Sequence, residues 1–493
     1  MSNKKQALID LLKVFASNVL SLISGILVGF IIPKIMGYTD YGYYKLYSLY
    51  AAYTGLLHFG LSDGMYFYFS GQKIEDIDKK KLHSCLLFVI IMEAAISISG
   101  IIISSFFTSE NPYGVIFIFV FLFSFFYQVQ GVLSYVCQAL KKFSFSSLIN
   151  SLKSLLDALG VLCLYLVTKY SDGFQTSFLI YCTIVVSTMA IEAIFYVVYF
   201  WRILFGKGQN FEQTRYDMAG FLKIGFPIMI ANLTSSLILA IDKQFVSIFY
   251  PVEESNIFSI FSFSYSVLTL ITAATSAISI VLFPYTKGKD EKKLCELFPN
   301  LNSFLLVGVG ISCSSFFVVQ WIISTFLSKY ISSVPIIRVI VPGLIINSSV
   351  TVLMHNYYKT FNKERVYFIQ NILVLLFAIV TDIMTYYWII LPFDPNNPIW
   401  FAVASDITLL FWYIISESFL AKNYHIKHWK NDIYALSLCC IFYLTSFFLD
   451  QWIGFGVYLV SVLLASYLFF FKETKALLQM ARAKHNQIKT KNN

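Results

Sequence analysis

Three ionisable side chains lie deep inside apolar stretches of this sequence. Lys153 and Asp157 stand four residues apart in "LINSLKSLLDALGVLCLYLV", and Glu93 stands alone in "LLFVIIMEAAISISGIIISSFF". Residues at i and i+4 share one helical face. Counted at 1.5 Å per residue from a span start near 145, Asp157 lies about 18 Å in, close to a bilayer midplane. Each such charge costs a few kcal/mol at the bilayer centre, so it needs a reason to be there. Lys153 can meet a phosphate or an acidic group while Asp157 moderates it or takes up a proton. The alternative is a self-neutralising pair that locks two helices together, and the sequence leaves both open. Glu93 has no neighbour of opposite charge in sequence, so it faces protein or carries a proton. Arg338, toward the outer end of its span, has the planar fork that grips phosphate. Asp242 stands beside Lys243 near another outer end, where a lysine can snorkel to the head groups. Asn150, one turn before Lys153, can read hydroxyl groups or bond between helices. Ligand binding therefore falls to Lys153, Arg338 and Asn150, and coupling or gating to Asp157, Glu93 and Asp242.

Other chemistry is excluded by pattern. The sequence has no G-x-x-x-x-G-K-[ST], no H-E-x-x-H and no G-x-S-x-G. It is thus neither an ATP-driven pump by itself nor an obvious enzyme, and no cofactor is expected; a coupling ion, H+ or Na+, is. The eight cysteines include the adjacent Cys439 and Cys440 but show no metal-ligand spacing and fall in no external loop, so neither a metal nor a structural disulfide is expected.

The elements that must position these groups are membrane helices. Only 13% of the residues are charged and 58% are hydrophobic, against about 25% charge in soluble domains. Runs such as residues 86–107 are apolar on every face, which selects helices over barrel strands. Spans fall near 10–33, 45–66, 83–106, 114–139, 145–168, 176–200, 220–248, 257–285, 298–327, 335–358, 366–391, 400–420, 434–449 and 454–471. The fold class is an all-α polytopic membrane protein of about fourteen transmembrane helices. No cleaved signal peptide is expected. With both termini in the cytoplasm, most of the 36 Lys and Arg fall on the inner side, including Lys73, Lys79, Lys80, Lys81, Lys287, Lys289, Lys363 and Lys422. The outer loops "TSENPYG", "YPVEESN" and "LPFDPNNPI" carry none. The net charge of +9 reports topology and contact with anionic inner-leaflet lipid, and is no evidence for nucleic acid.

The chain repeats itself. "LLKVFASN" at 11–18 answers "FLKIGFPI" at 221–228, and "CQALKKFS" at 137–144 answers "HNYYKTFN" at 355–362. Parallel repeats of this kind form two lobes about an axis along the membrane normal. The expected organisation is a first six-helix lobe over 1–201, a cytoplasmic linker over 202–219, a second six-helix lobe over 220–430, two additional transmembrane helices over 431–471 and a basic cytoplasmic tail over 472–493.

The stretch "FIIPKIMGYTDYGYYKLYSLYAAYTGLLHFGLSDGMYFYFSG" at 30–71, with Pro33, Gly37, the Tyr41–Tyr47 run and "GLSDG", resembles the first hairpin of the multidrug/oligosaccharidyl-lipid/polysaccharide exporter (MOP) superfamily. Within it the likeness is to the Wzx-type flippases of O-antigen and capsule synthesis. Pro33 and Gly37 end the first helix, and Gly42 is expected to start a tight re-entry. "ANLTSSLILAIDKQFVSIF" resembles the start of the family's second half. The resemblance implies a transporter, not an enzyme, that moves an undecaprenyl-pyrophosphate-linked oligosaccharide from the cytoplasmic to the outer leaflet by alternating access. It implies the bacterial inner membrane, membrane lipid and a polyprenyl-linked oligosaccharide as partners, and polysaccharide polymerase machinery beside it. A cation-coupled multidrug antiporter of the same superfamily is the alternative. A membrane-embedded polysaccharide synthesis enzyme is a second, weakened by outer loops too short for a catalytic domain.

Overall fold

The structure is a computed structural model. It describes residues 3–70, 77–108, 112–171, 173–269, 291–361, 363–426 and 429–470. The second half of the span expected over 257–285, the basic loop that follows it, most of the loop carrying Lys73 and the tail over 472–493 lie outside the described residues.

The regular elements among the described residues are all helices, and twelve of them are long and apolar enough to cross a membrane. The protein is an all-α polytopic membrane protein. Polarity is inverted relative to a soluble helix bundle. Along α16 (Glu364–Thr385), Ile369, Leu373, Leu376 and Val380 point outward, while Gln370, Asn371 and Asp382 are buried. Lipid takes the apolar face, and the polar groups must find partners inside.

The chain forms two compact units, Met1–Ser266 and Val267–Asn493. The first opens with α1 (Asn3–Ile35), which carries Pro33 in its last turn. Gly37 then caps α2 (Tyr38–Tyr53). Gly42 starts no re-entry. It lies inside α2, where a Cβ would meet Ser259 Oγ at 2.6 Å and Val252 Cγ1 at 2.7 Å.

The span expected as one piece over 45–66 is broken. A 3-10 turn at Thr54–Leu56 and left-handed Phe59 and Gly60 separate α2 from α3 (Leu61–Phe69). Glycine takes that conformation without strain.

Asp78 caps α4 (Lys79–Ser105) by accepting from the Lys80 and Lys81 amides at 2.9 and 3.2 Å. There follow α5 (Pro112–Ala139), α6 (Phe143–Tyr170), α7 (Phe178–Tyr199) and the single turn α8 (Trp201–Leu204). Next come α9 (Phe211–Ile238), α10 (Ile241–Phe249) and α11 (Ile257–Thr269). The main packings in this unit are α1 on α6, α4 on α5, α3 on α9 and α5 on α7. In the α3–α9 seam backbones touch: a Cβ on Gly64 would strike the Phe221 backbone, and one on Gly225 the Gly60 carbonyl. Lys81 bridges Asp217 at 2.8 Å beside it.

The second unit comprises α12 (Glu291–Cys313), α13 (Ser315–Phe326), α14 (Ser333–Ser348), α15 (His355–Thr360), α16, α17 (Leu391–Phe393), α18 (Ile399–Tyr424), α19 (Trp429–Phe448) and α20 (Gln451–Phe470). A π-helical stretch at Ser349–Met354 joins α14 to α15. Buried polar pairs pin the helices: Ser349 Oγ donates to Asn302 Oδ1 at 2.8 Å, and Trp412 Nε1 to Asn371 Oδ1 at 3.0 Å. The last two helices belong to this unit. Gln451 Nε2 donates to the Phe317 carbonyl at 2.6 Å and Tyr458 OH to the Gly310 carbonyl at 2.8 Å.

Candidate functional site

Charged side chains gather inside the first unit where α5, α6 and α7 meet. Lys153 Nζ donates to Asp157 Oδ2 at 2.6 Å, with both side chains about a quarter exposed, 24% and 22%. The i, i+4 spacing alone makes this pair possible, because α6 runs unbroken through both residues. Glu192 of α7 joins them. It is 5% exposed, is attracted by Lys153 and repelled by Asp157, and accepts a hydrogen bond from Gln130 Nε2 of α5 at 3.0 Å. One ammonium thus acts on two carboxyl groups. With all three ionised, the cluster holds one negative charge in excess, and the Gln130 amide solvates Glu192 without neutralising it.

A cavity of about 270 Å³ opens beside this cluster. Its walls are Tyr44, Tyr47 and Ser48 of α2 and Phe123 and Tyr127 of α5. The Phe123 and Tyr127 rings stack with centroids 5.5 Å apart, and Tyr47 meets Phe123 edge-on at 6.0 Å. The cavity and the charged cluster share two helices: Tyr127 stands three residues before Gln130 on α5, and Val185 stands seven before Glu192 on α7. Lys45 Nζ sits 4.8 Å from the centre of the Tyr44 ring. The arrangement can hold an anion at Lys153, take up a proton or cation at the carboxyl groups, and stack a flat or ring-shaped group on aromatic faces.

The other residues singled out from the sequence have partners of their own or none of the cluster's. Asn150 belongs to the α1–α6 seam, donating to Ser17 Oγ at 2.9 Å and Ser21 Oγ at 3.3 Å. Asp242, buried in the first turn of α10, accepts from Tyr265 OH at 2.5 Å. Glu93 is fully buried on α4. In the second unit the Arg338 guanidinium lies between aromatic rings, 4.7 Å from Phe447 and 5.9 Å from Phe316. Glu192 and Gln130 are site members that the sequence reading passed over. The signal was the single charged residue of α7 and one of three glutamines in α5, but nothing in a single sequence says that α5, α6 and α7 face one another there. Among the described residues, no three His, Cys, Asp or Glu side chains come together as a metal site.

No family model matches the chain, and no curated protein sequence matches it. Solved structures do. The lipid II flippase MurJ, in an inward closed conformation, superposes with a TM-score of 0.68 at 17% identity, over 95% of this chain and all of that one. An inward-facing multidrug resistance MATE family transporter of the MOP superfamily gives 0.52 at 12% identity, over 86% of this chain and 95% of that one. A MATE protein in complex with MaL6 gives 0.50 at 11% identity, over 84% and 96%. The protein has the fold of the MOP-superfamily transporters.

Proposed function

We propose that this protein is a flippase that carries an undecaprenyl-pyrophosphate-linked oligosaccharide from the cytoplasmic to the outer leaflet of the bacterial inner membrane, for surface polysaccharide synthesis. The observation that carries it is the extent of the MurJ likeness: 95% of this chain and the whole of that one, with α19 and α20 packed into the second unit as part of the fold. In this account both termini are cytoplasmic and the lipid tail stays in the bilayer. The pyrophosphate engages Lys153, releasing Asp157, while a sugar ring stacks in the cavity of Phe123 and Tyr127. The cavity, about 270 Å³, has room for one ring. Alternating access moves the head group, and an H+ or Na+ gradient drives it.

One observation favours a second reading, cation-coupled export of small molecules. Glu192 gives the cluster more acid than base, and carboxyl groups beside aromatic faces also suit organic cations. Native mass spectrometry of the protein released from nanodiscs separates the two. Retention of undecaprenyl-pyrophosphate-linked sugar in competition with excess tetraphenylphosphonium supports the flippase. Retention of the cation with no lipid-linked sugar supports the antiporter.

A further inference from the structure

Two close approaches fix the register of α4 against α5. A Cβ on Gly100 would meet the Phe121 ring at 2.5 Å, and one on Gly114 would meet the Phe107 and Thr108 backbone at 2.7 Å. In an antiparallel pair, these contacts set Ser97 level with Ser124, and Glu93 level with Gln128. All four are buried: Glu93 and Ser124 are 0% exposed, Ser97 2% and Gln128 3%. Neither carboxyl oxygen of Glu93 has a hydrogen-bond partner among the described residues, and neither do the hydroxyls of Ser97 and Ser124. Three polar side chains from two facing helices are thus orphaned within one helical turn of each other.

No charged side chain among the described residues acts on Glu93. Of the elements packed on α4, α5 contributes Tyr113, Tyr127, Tyr135 and Cys137 as titratable groups, α8 Arg202, and α9 Glu212, Arg215, Tyr216, Asp217 and Lys223. The α9 contact lies at the Lys81 end, where Lys81 pairs with Asp217, about 18 Å along the helix from Glu93 at 1.5 Å per residue. An ionised carboxylate with neither donor nor cation is untenable in such a place. The neutral acid fits it. Its O–H needs an acceptor and its C=O a donor, and a serine hydroxyl can serve as either.

Gln128 connects this level to the break in the second span. Its Nε2 donates to the Thr54 carbonyl at 2.6 Å, and Thr54 opens the 3-10 turn that separates α2 from α3. The far side of that break is Gly60, from which α3 runs along the Phe221–Gly225 backbone. A carboxylate formed at Glu93 would be a stronger acceptor than the Thr54 carbonyl, and turning the Gln128 amide toward it draws Nε2 away from Thr54.

We propose that Glu93, with Ser97, Ser124 and Gln128, is a proton-binding site that controls the break between α2 and α3. With the proton on Glu93, Gln128 holds the Thr54 carbonyl and the break is fixed. When the proton leaves, Gln128 turns to the carboxylate, Thr54 is released, and the turn over 54–60 loosens together with the α3–α9 seam it leads to. In the proposed transport cycle this would be the coupling proton, and that part rests on the flippase reading; the site itself does not.

The test joins two measurements on the full chain in nanodiscs. Infrared difference spectra between acid and alkaline pH are recorded for wild type and Glu93→Gln, alongside hydrogen exchange of the segment 54–64 corrected for intrinsic pH dependence. The expected result is a protonated-carboxyl band that is lost at high pH in wild type and absent from Glu93→Gln. Exchange over 54–64 rises with pH in wild type and stays at its low-pH level in Glu93→Gln. Should Glu93→Gln not fold, Ser124→Ala is expected to keep the band and shift its frequency. No titrating band that depends on Glu93, or an unshifted band in Ser124→Ala, overturns the site. The same pH response of 54–64 in both proteins overturns the link to the break. Both signals in a protein that flips no lipid-linked sugar uphold the site and defeat the flippase.

Discussion

The Lys153–Asp157 pair can be dissected by a double-mutant cycle with Lys153→Met and Asp157→Leu. Removing one partner of a fully buried ion pair costs about 3–5 kcal/mol, because the other charge stays buried alone. Exposed pairs are worth about 0–1 kcal/mol. At about a quarter exposure, Lys153→Met should fall between these limits, at about 2–3 kcal/mol, since it also leaves Asp157 facing Glu192 uncompensated. Asp157→Leu should cost less, about 1–2 kcal/mol, because Glu192 remains to pair with Lys153. The double variant replaces both charges with apolar side chains and should lie within about 1 kcal/mol of wild type. The singles then exceed the double by about 2–6 kcal/mol in sum. Reversible unfolding in mixed micelles measures the stabilities, and lipid flipping is assayed in the same preparations. The expected outcome is a double variant that folds as well as wild type and does not flip. Singles that add without interaction would refute the pairing. A double variant that flips at the wild-type rate would make the pair a packing lock and remove Lys153 from the substrate path.

Other consequences are local. Gly225→Ala should destabilise by at least about 1–3 kcal/mol, because its Cβ would fall on the Gly60 carbonyl. Gly131→Ala on α5 has nothing within 4 Å and should be neutral or stabilise by up to about 1 kcal/mol; thermal unfolding of the two side by side checks the seam. Arg338→Gln removes the guanidinium between Phe447 and Phe316 and should cost about 0.5–2 kcal/mol by the same measurement. Phe123→Ala strips an aromatic wall from the cavity and should weaken binding of sugar-bearing lipid while leaving bare undecaprenyl pyrophosphate unchanged, as read by native mass spectrometry.

Much of this architecture could be read from hydropathy, because each span must be long and apolar whatever it packs against. The broken second span could not. "YTGLLHFGLSDG" is apolar enough to pass for continuous helix, and only the backbone, with its 3-10 turn at Thr54–Leu56 and left-handed Phe59 and Gly60, marks the interruption. Gly42 was read as a turn residue, whereas α2 uses it for a close approach to Ser259 and Val252. The α-helical spacing of Lys153 and Asp157 disclosed their contact. Glu192 escaped because runs that are apolar on every face carry no record of which face meets which helix. Depth can be counted along a sequence; azimuth cannot. Asn150 shows the same limit, since its partners Ser17 and Ser21 lie more than a hundred residues away.

The central claim is tested most directly by flipping itself. Proteoliposomes loaded with fluorescent undecaprenyl-pyrophosphate-linked oligosaccharide are treated with a membrane-impermeant quencher, with and without an imposed proton or sodium gradient. The account predicts quenching beyond the outer-leaflet fraction for wild type, faster under a gradient, and only outer-leaflet quenching for the double variant of Lys153 and Asp157. Quenching no greater than in protein-free vesicles under any gradient, with organic cations accumulated instead, would contradict it.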